Sequence, residues 1–348
     1  MDLFPLLRHA LSLIEPERAH RLTIIGLKTG FGPRDRAADP ASLSVDLFGL
    51  RFKNPLGIAA GFDKNGEVPD AMLAMGMGFA EVGTVTPCAQ AGNPRPRVFR
   101  LTDQGAVINR LGFNNQGHTT LRRRLEARRH RGGIVGVNIG ANKDAADRIA
   151  DYEAGIRAFE DLAGYFTVNI SSPNTPGLRA LQGREELETL LTRVLKARKG
   201  SVPILLKIAP DLTAADRADI AAVTLDLKLD GLIVSNTTIE REGLVTGPYA
   251  HEIGGLSGRP LFPLSTEVLA DMYRLTGGKV PIIGVGGISS GADAYAKIRN
   301  GASLIQLYSA LTYEGPALVT RIKRELAEAL KRDGFARVSD AVGVDVNG

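Results

Sequence analysis

Eight short apolar runs, each bounded by turn residues, predict an α/β fold of the (β/α)8 TIM-barrel class for this chain of 348 residues. An N-terminal helical hairpin and small β-hairpin insertions accompany the barrel. The runs are LGIAA (56–60), FAEVGTV (79–85), IVGVNIG (134–140), YFTVNIS (165–171), PILLKIA (203–209), DGLIVSN (230–236), PIIGVGG (281–287) and SLIQLYS (303–309). They are nearly continuous instead of alternating, as strands buried on both faces of a parallel sheet must be. Amphipathic stretches such as GREELETLLTRVLKARKG separate most of them. A second observation is length, most of which one barrel can absorb. A third is the placing of two long intervals, 86–133 and 237–280, both directly after strand ends. Insertions there sit over the C-terminal rim, where barrel enzymes keep their sites.

In chain order, LFPLLRHALSLI places Leu3, Leu6, Leu7, Ala10, Leu11 and Ile14 on one helical stripe. Pro16 then opens a second apolar helix, ERAHRLTIIGLKTG, and FGPRDRAADPAS leads onward. Residues 1–40 thus form a helical hairpin and linker, and 41–348 the barrel. The hairpin either packs on the barrel or lies on a membrane and guards an apolar tunnel. LSVDLFGLRFKN alternates with period two on either side of Phe48-Gly49, a β-hairpin. PRVFRLTDQGAVINRLGFNN, in the first long interval, reads as an inserted hairpin and loop. The basic run RRRLEARRHR (122–131) reads as a solvated helix face.

Composition narrows the function classes. Net charge is +5, and the few aromatics do not interleave with the basic run, so no nucleic-acid platform is expected. Cys88 is the single cysteine and the five histidines lack metal-type spacing, so neither an internal disulfide nor a metal site is expected. Asp2 and the lack of a small-residue cleavage pattern argue against a secretory signal, and no apolar run reaches spanning length.

The strand ends carry the chemistry. The first run leads to Lys64, the second ends in Thr84, the third in Asn138, and the fourth in Asn169 and the serines of VNISSPNTPGL. The fifth holds Lys207, the sixth ends in Ser235-Asn236-Thr237, the seventh in Gly286-Gly287, and the eighth in Tyr308-Ser309. GVGGIS and YSAL supply backbone N–H groups beside a helix start, the phosphate site of a barrel. GGLSGRP adds a close-approach glycine turn at Gly258. Asn138, Asn169, Asn174 and Asn236 offer donors and acceptors to a heterocycle with amide or imide edges, an isoalloxazine or a pyrimidine. Lys207 either faces the N1–C2=O region of a flavin or serves as the Schiff-base lysine of an aldolase.

Together AAGFDKNGE, NRLGFNN, GVNIGANK, VNISSPNTPGLR, LLKIAPD, SNTT, GGLSGRPL, GVGGI and LYSAL resemble the class 2, quinone-dependent dihydroorotate dehydrogenases, from the N-terminal hairpin to about residue 330. The resemblance implies an FMN enzyme that oxidises (S)-dihydroorotate to orotate in pyrimidine synthesis. It implies FMN contacts from Ala60, Gly61, Lys64, Thr84, Asn138, Asn169, Lys207, Ser235, Gly258, Gly287, Tyr308 and Ser309. It implies substrate contacts from Lys64, Asn109, Arg110, Leu111, Gly112, Phe113, Asn169, Asn174, Asn236 and Thr237, with Lys64 the partner of the substrate carboxylate. Ser172 resembles the family's catalytic base. A serine is a poor base alone, so a water or threonine relay and exclusion of bulk solvent must help it.

Class 1 relatives place a cysteine at the base position and lack the N-terminal extension. Here Ser172 stands there, and Cys88 lies in another loop. In class 2 the extension implies a membrane-lying hairpin and a tunnel for ubiquinone or menaquinone, with His20, Arg100 and Tyr308 beside it. The expected state is a monomer, peripheral on the cytoplasmic face of the cell membrane. Rival readings are another FMN barrel, such as a dihydrouridine synthase, a flavin-free aldolase using Lys207, and an inactive binding module.

Overall fold

The structure, a computed structural model, describes residues 4–346, with side chains from Arg8 onward. Leu3 and the side chains of Leu6 and Leu7, part of the expected N-terminal stripe, lie outside that range. Two helices come first, α1 (Phe4–Ser12) and α2 (Pro16–Lys28). Pro16 stands at the first turn of α2, where its missing N–H costs nothing, and the Glu15 carboxylate accepts from the N–H groups of Glu17 and Arg18.

Eight parallel strands then close a barrel in sequence order. They are β1 (Leu56–Asp63), β2 (Phe79–Val85), β3 (Ile134–Ile139), β4 (Tyr165–Asn169), β5 (Ile204–Ile208), β6 (Gly231–Val234), β7 (Ile282–Val285) and β8 (Ala302–Leu307). The eight predicted runs are these strands, with β1 three residues longer, β3 to β8 trimmed at the end that turns out into the rim, and β8 begun one residue earlier. Each strand is followed by helix: α3 (Pro69–Ala74), α4 (Gly117–Ala127), α5 (Arg148–Phe159), α6 (Arg184–Ala197), α7 (Ala214–Asp226), α8 (Phe262–Leu275), α9 (Gly291–Arg299), and finally α10 (Ser309–Glu314) with α11 (Ala317–Arg332). In α6 the apolar spacing turns Leu187, Leu190, Leu191 and Val194 onto the strands.

The N-terminal end of the barrel is plugged by the hairpin Val45–Leu47 and Leu50–Phe52. Phe48 and Gly49 both take positive φ, the geometry a two-residue hairpin turn needs. The Phe52 ring meets Phe79 edge-on at 5.4 Å, at the start of β2. The other end is built up by both long insertions. Val98–Leu101 and Ala106–Asn109 pair with Gly255–Gly258 in one antiparallel sheet, packed through Phe99, Leu101, Ile108 and Leu256. Gly258 has φ 98°, and a Cβ there would lie 2.2 Å from the Gly105 carbonyl oxygen, so only glycine lets the strands approach.

The helical hairpin is fastened to that upper sheet. Glu17 receives paired bonds from Arg95 and from the buried Arg97. Arg100 donates to the carbonyls of Leu11, Ser12 and Ile14, at the end of α1 and in the turn that follows it. The linker is fixed by Lys323, which pairs with Asp35 and Asp39. In the basic run, Arg128 and Arg131 pair with Asp70, and Arg122 and Arg129 with Asp161.

Candidate active site

One cavity of about 980 Å³ runs from the strand ends of the barrel to the gap beneath α1 and α2. Its inner end is polar. Thr84 Oγ1 donates to Asn138 Oδ1 at 2.6 Å, and Asn169 Nδ2 donates to Thr84 Oγ1 at 2.9 Å. Ser171 Oγ donates to Asn169 Oδ1 at 2.9 Å, and Asn236 Nδ2 donates to Ser171 Oγ at 2.9 Å. This chain of bonds crosses β2, β3, β4 and β6 and fixes which amide edge each asparagine turns to the cavity. Below it lies Glu81, fully buried. It accepts from Asn138 Nδ2 at 2.8 Å, Tyr165 Oη at 2.9 Å and Gln306 Nε2 at 2.7 Å.

Lys207, buried on β5, also faces the cavity. Among the described residues its ammonium has no hydrogen-bond partner. Burial pushes its pKa down, and the charge of Glu81 pulls it back up. Lys64 sits just beyond β1, half-buried, and lines the cavity. Burial pushes its pKa down to about 8, against the opposing pull of Glu17.

The loop after β4 carries Ser172. Its Oγ accepts from the Asn174 N–H at 3.2 Å, and Asn174 Nδ2 donates to Asn109 Oδ1 at 3.3 Å. Thr175 Oγ1 is buried with no partner among the described residues, three positions from Ser172. Arg179 holds the loop down by donating to the carbonyls of Ser171 and Thr237 and to Asp211. At the opposite side of the cavity, the Gly286-Gly287 turn and the start of α10 face inward, and Ser309 Oγ donates to Ser257 Oγ at 2.8 Å.

Outward, the walls become apolar and aromatic. Phe62 meets His20 and Tyr308, each edge-on with centroids 5.5 Å apart. Burial pushes the His20 pKa down to about 4, and the Lys64 charge adds to this, so His20 is neutral at pH 7. Arg100, His20 and Tyr308 all line this part, with Leu11 and Leu22 of the helical hairpin.

Of the residues singled out in the sequence, Ala60, Gly61, Lys64, Thr84, Asn109, Leu111, Gly112, Phe113, Asn169, Ser172, Asn174, Lys207, Ser235, Asn236, Thr237, Gly258, Gly287, Tyr308 and Ser309 share the cavity wall. Two do not. Asn138 stands one layer behind, its amide committed to Glu81, Thr84 and Asn169. Arg110 turns outward to Glu252 and stacks on Phe99. Sequence reasoning passed over Glu81, Gln306 and Ser257. Glu81 and Gln306 did leave a signal, as lone polar residues inside strands buried on both faces.

A barrel with a glycine-built anion cradle, a buried lysine and a ring of oriented amides is of the class that holds a phosphorylated heterocycle. The dihydroorotate dehydrogenase family model matches residues 42–330. A dihydroorotate dehydrogenase (quinone) of Parvibaculum lavamentivorans is 74% identical over 347 residues, covering 100% of both chains. One from Rhodospirillum rubrum is 58% identical over 95% of this chain and 92% of its own. The crystal structure of Eimeria tenella DHODH in complex with ferulenol superposes with a TM-score of 0.92 at 43% identity, covering 95% of this chain and 96% of that one. The chain belongs to the dihydroorotate dehydrogenase family.

Proposed function

We propose that this cavity oxidises (S)-dihydroorotate to orotate for pyrimidine synthesis and passes the electrons through FMN to a quinone. The observation that carries the reading is the continuity of the cavity, polar at the barrel and apolar under the helical hairpin. The residues present fit FMN. Gly61 has φ 97°, and a Cβ there would meet only Tyr308 Cε1, at 3.8 Å, so the space above it is open to a ring. Lys207 keeps a donor free for an electron-rich ring edge. The Gly286-Gly287 turn and the α10 start offer backbone N–H groups to a phosphate. Bound FMN supplies the two-electron acceptor for the hydride lost from substrate C6.

The chain's own residues do the rest. Lys64 pairs with the substrate carboxylate. Asn109, Asn174 and Asn236 hold the pyrimidine ring, with Asn169 between the two ligands. Ser172 Oγ takes the C5 proton and passes it on through a relay in which Thr175, with its unpartnered hydroxyl, takes part. Arg179 keeps the loop closed so that bulk water stays out. The hairpin, with Leu13, Leu22, Ile25 and Phe31 exposed, lies on the membrane surface and admits the quinone tail past His20 and Arg100. Among the described residues no helix is long and apolar enough to cross a membrane. We infer peripheral attachment through the hairpin, on the cytoplasmic face of the cell membrane, by a monomer. An anaerobic titration tests the reaction. One equivalent of dihydroorotate should bleach the flavin of the purified protein and yield orotate; an unbleached flavin contradicts it.

A further inference from the structure

Behind the glycine turn lies a second buried lysine that the proposed reaction does not use. Lys297, on α9, is fully buried, and its Nζ donates to Ser265 Oγ at 2.7 Å. Ser265, on α8, is also fully buried. The ammonium has no lone pair, so the hydroxyl must accept this bond and keeps its own hydrogen for a carbonyl. The Gly286 oxygen lies 3.1 Å from Ser265 Oγ, and the Phe262 oxygen 3.2 Å. The hydroxyl has one hydrogen to give; the Phe262 oxygen already accepts from Thr266 Oγ1 at 2.6 Å, which leaves the Gly286 oxygen as its acceptor, so the bonds run from ammonium to hydroxyl to the carbonyl end of the turn.

No carboxylate among the described residues pairs with Lys297. The nearest candidate on its own helix, Asp293, is turned to the Ser289 N–H and hydroxyl at 2.8 and 2.9 Å. The Phe262 ring, 5.1 Å from Nζ, gives a cation–π contact but no counter-charge. A buried cation left this way is costly, and burial pushes the Lys297 pKa well down. A methionine would fill the same space without that cost.

The geometry of the Gly286-Gly287 peptide supplies a reason for the charge. In a trans peptide the C=O and the next N–H point in opposite directions. Holding the Gly286 carbonyl inward on Ser265 aims the Gly287 N–H outward into the cavity. The turn is packed so tightly that a Cβ on Gly287 would lie 2.6 Å from the Phe262 nitrogen, which leaves the peptide little freedom to flip. We infer that Lys297 and Ser265 are positioning residues of the phosphate cradle. They orient the Gly287 N–H and place a positive charge beneath a dianion, which is the counter-ion the lysine otherwise lacks. The inference rests on the FMN reading above and adds to it the selection of a phosphorylated flavin over its unphosphorylated form.

The test is a competition on the full-length holoprotein. Bound FMN is exchanged against added riboflavin, and the retained flavin is identified after gel filtration. Lys297→Met should lower the preference for FMN over riboflavin by about tenfold or more, the usual scale for losing a charge-assisted interaction. Riboflavin retention and the thermal midpoint of the protein should not fall. Ser265→Ala should lower the preference in the same direction, because the peptide loses its anchor. If Lys297→Met weakens both flavins equally, the lysine is a packing residue and the inference is overturned. If that variant does not fold, Ser265→Ala decides: an unchanged preference overturns the inference. A wild-type protein that retains no flavin would instead overturn the proposed function, which separates the two failures.

Discussion

Ser172 and Thr175 occupy one turn of the loop after β4, one hydroxyl facing the cavity and the other buried without a partner among the described residues. Removing the first takes away one oxygen and little packing. Ser172→Ala should keep the fold and orotate binding but slow flavin reduction by ~10²-fold or more, the range for a positioned acid–base group. Stopped-flow bleaching measures it, and Ser172→Cys should recover part of the rate because a thiol ionises more readily than a hydroxyl. Lys64 gives a pH signature. A carboxylate partner needs the ammonium form, and Lys64 titrates at about 8 in the cavity. Orotate affinity should therefore be level below that value and weaken as pH rises through it, by up to about tenfold per unit. Lys64→Met should bind weakly throughout and lose the dependence. Equal slopes in the two proteins would assign the carboxylate to another residue.

At the level of elements, the helical hairpin is held by charge where its apolar residues face outward. Glu17 anchors it to Arg95 and Arg97, and its carboxyl is held down to about 2, mainly by the bond from Arg97. A depressed carboxyl stabilises docking fully above the ordinary glutamate value and loses that contribution as pH falls towards the depressed one. The hairpin should thus loosen from the barrel between about pH 4.5 and 2, seen as faster amide exchange in α2 than in β1 to β8. Deleting residues 2–30 should leave dihydroorotate-driven bleaching intact while quinone reduction and vesicle binding fall sharply. Unchanged quinone turnover would remove the tunnel from the account. The barrel strands were legible in the sequence because burial on both faces forces continuous apolar runs. Of the sheet over the rim, the hairpin of Val98–Leu101 and Ala106–Asn109 was legible, but its pairing with Gly255–Gly258 was not, since that joins segments 150 residues apart, such as Val107 and Ser257, that carry no mutual signature. Which way Asn138 and Arg110 point was equally hidden. Each lies where a motif expects a ligand contact, but Glu81 and Glu252 claim their side chains.

Across the whole molecule, one barrel carries three chemistries in line. Buried charge from Glu81, Lys207 and Lys297 lies within or behind the strands. Oriented amides cover the strand ends, and an apolar passage leads from them to α1 and α2. The central claim is that dihydroorotate and quinone exchange electrons through one flavin in one cavity. A double-mixing experiment tests it directly. The anaerobic full-length protein is first bleached with dihydroorotate and then mixed with a water-soluble ubiquinone analogue. The account predicts that the flavin absorbance returns at a rate that matches steady-state turnover, and that Arg100→Ala slows only this second phase. A flavin that dihydroorotate bleaches but quinone does not restore would contradict it.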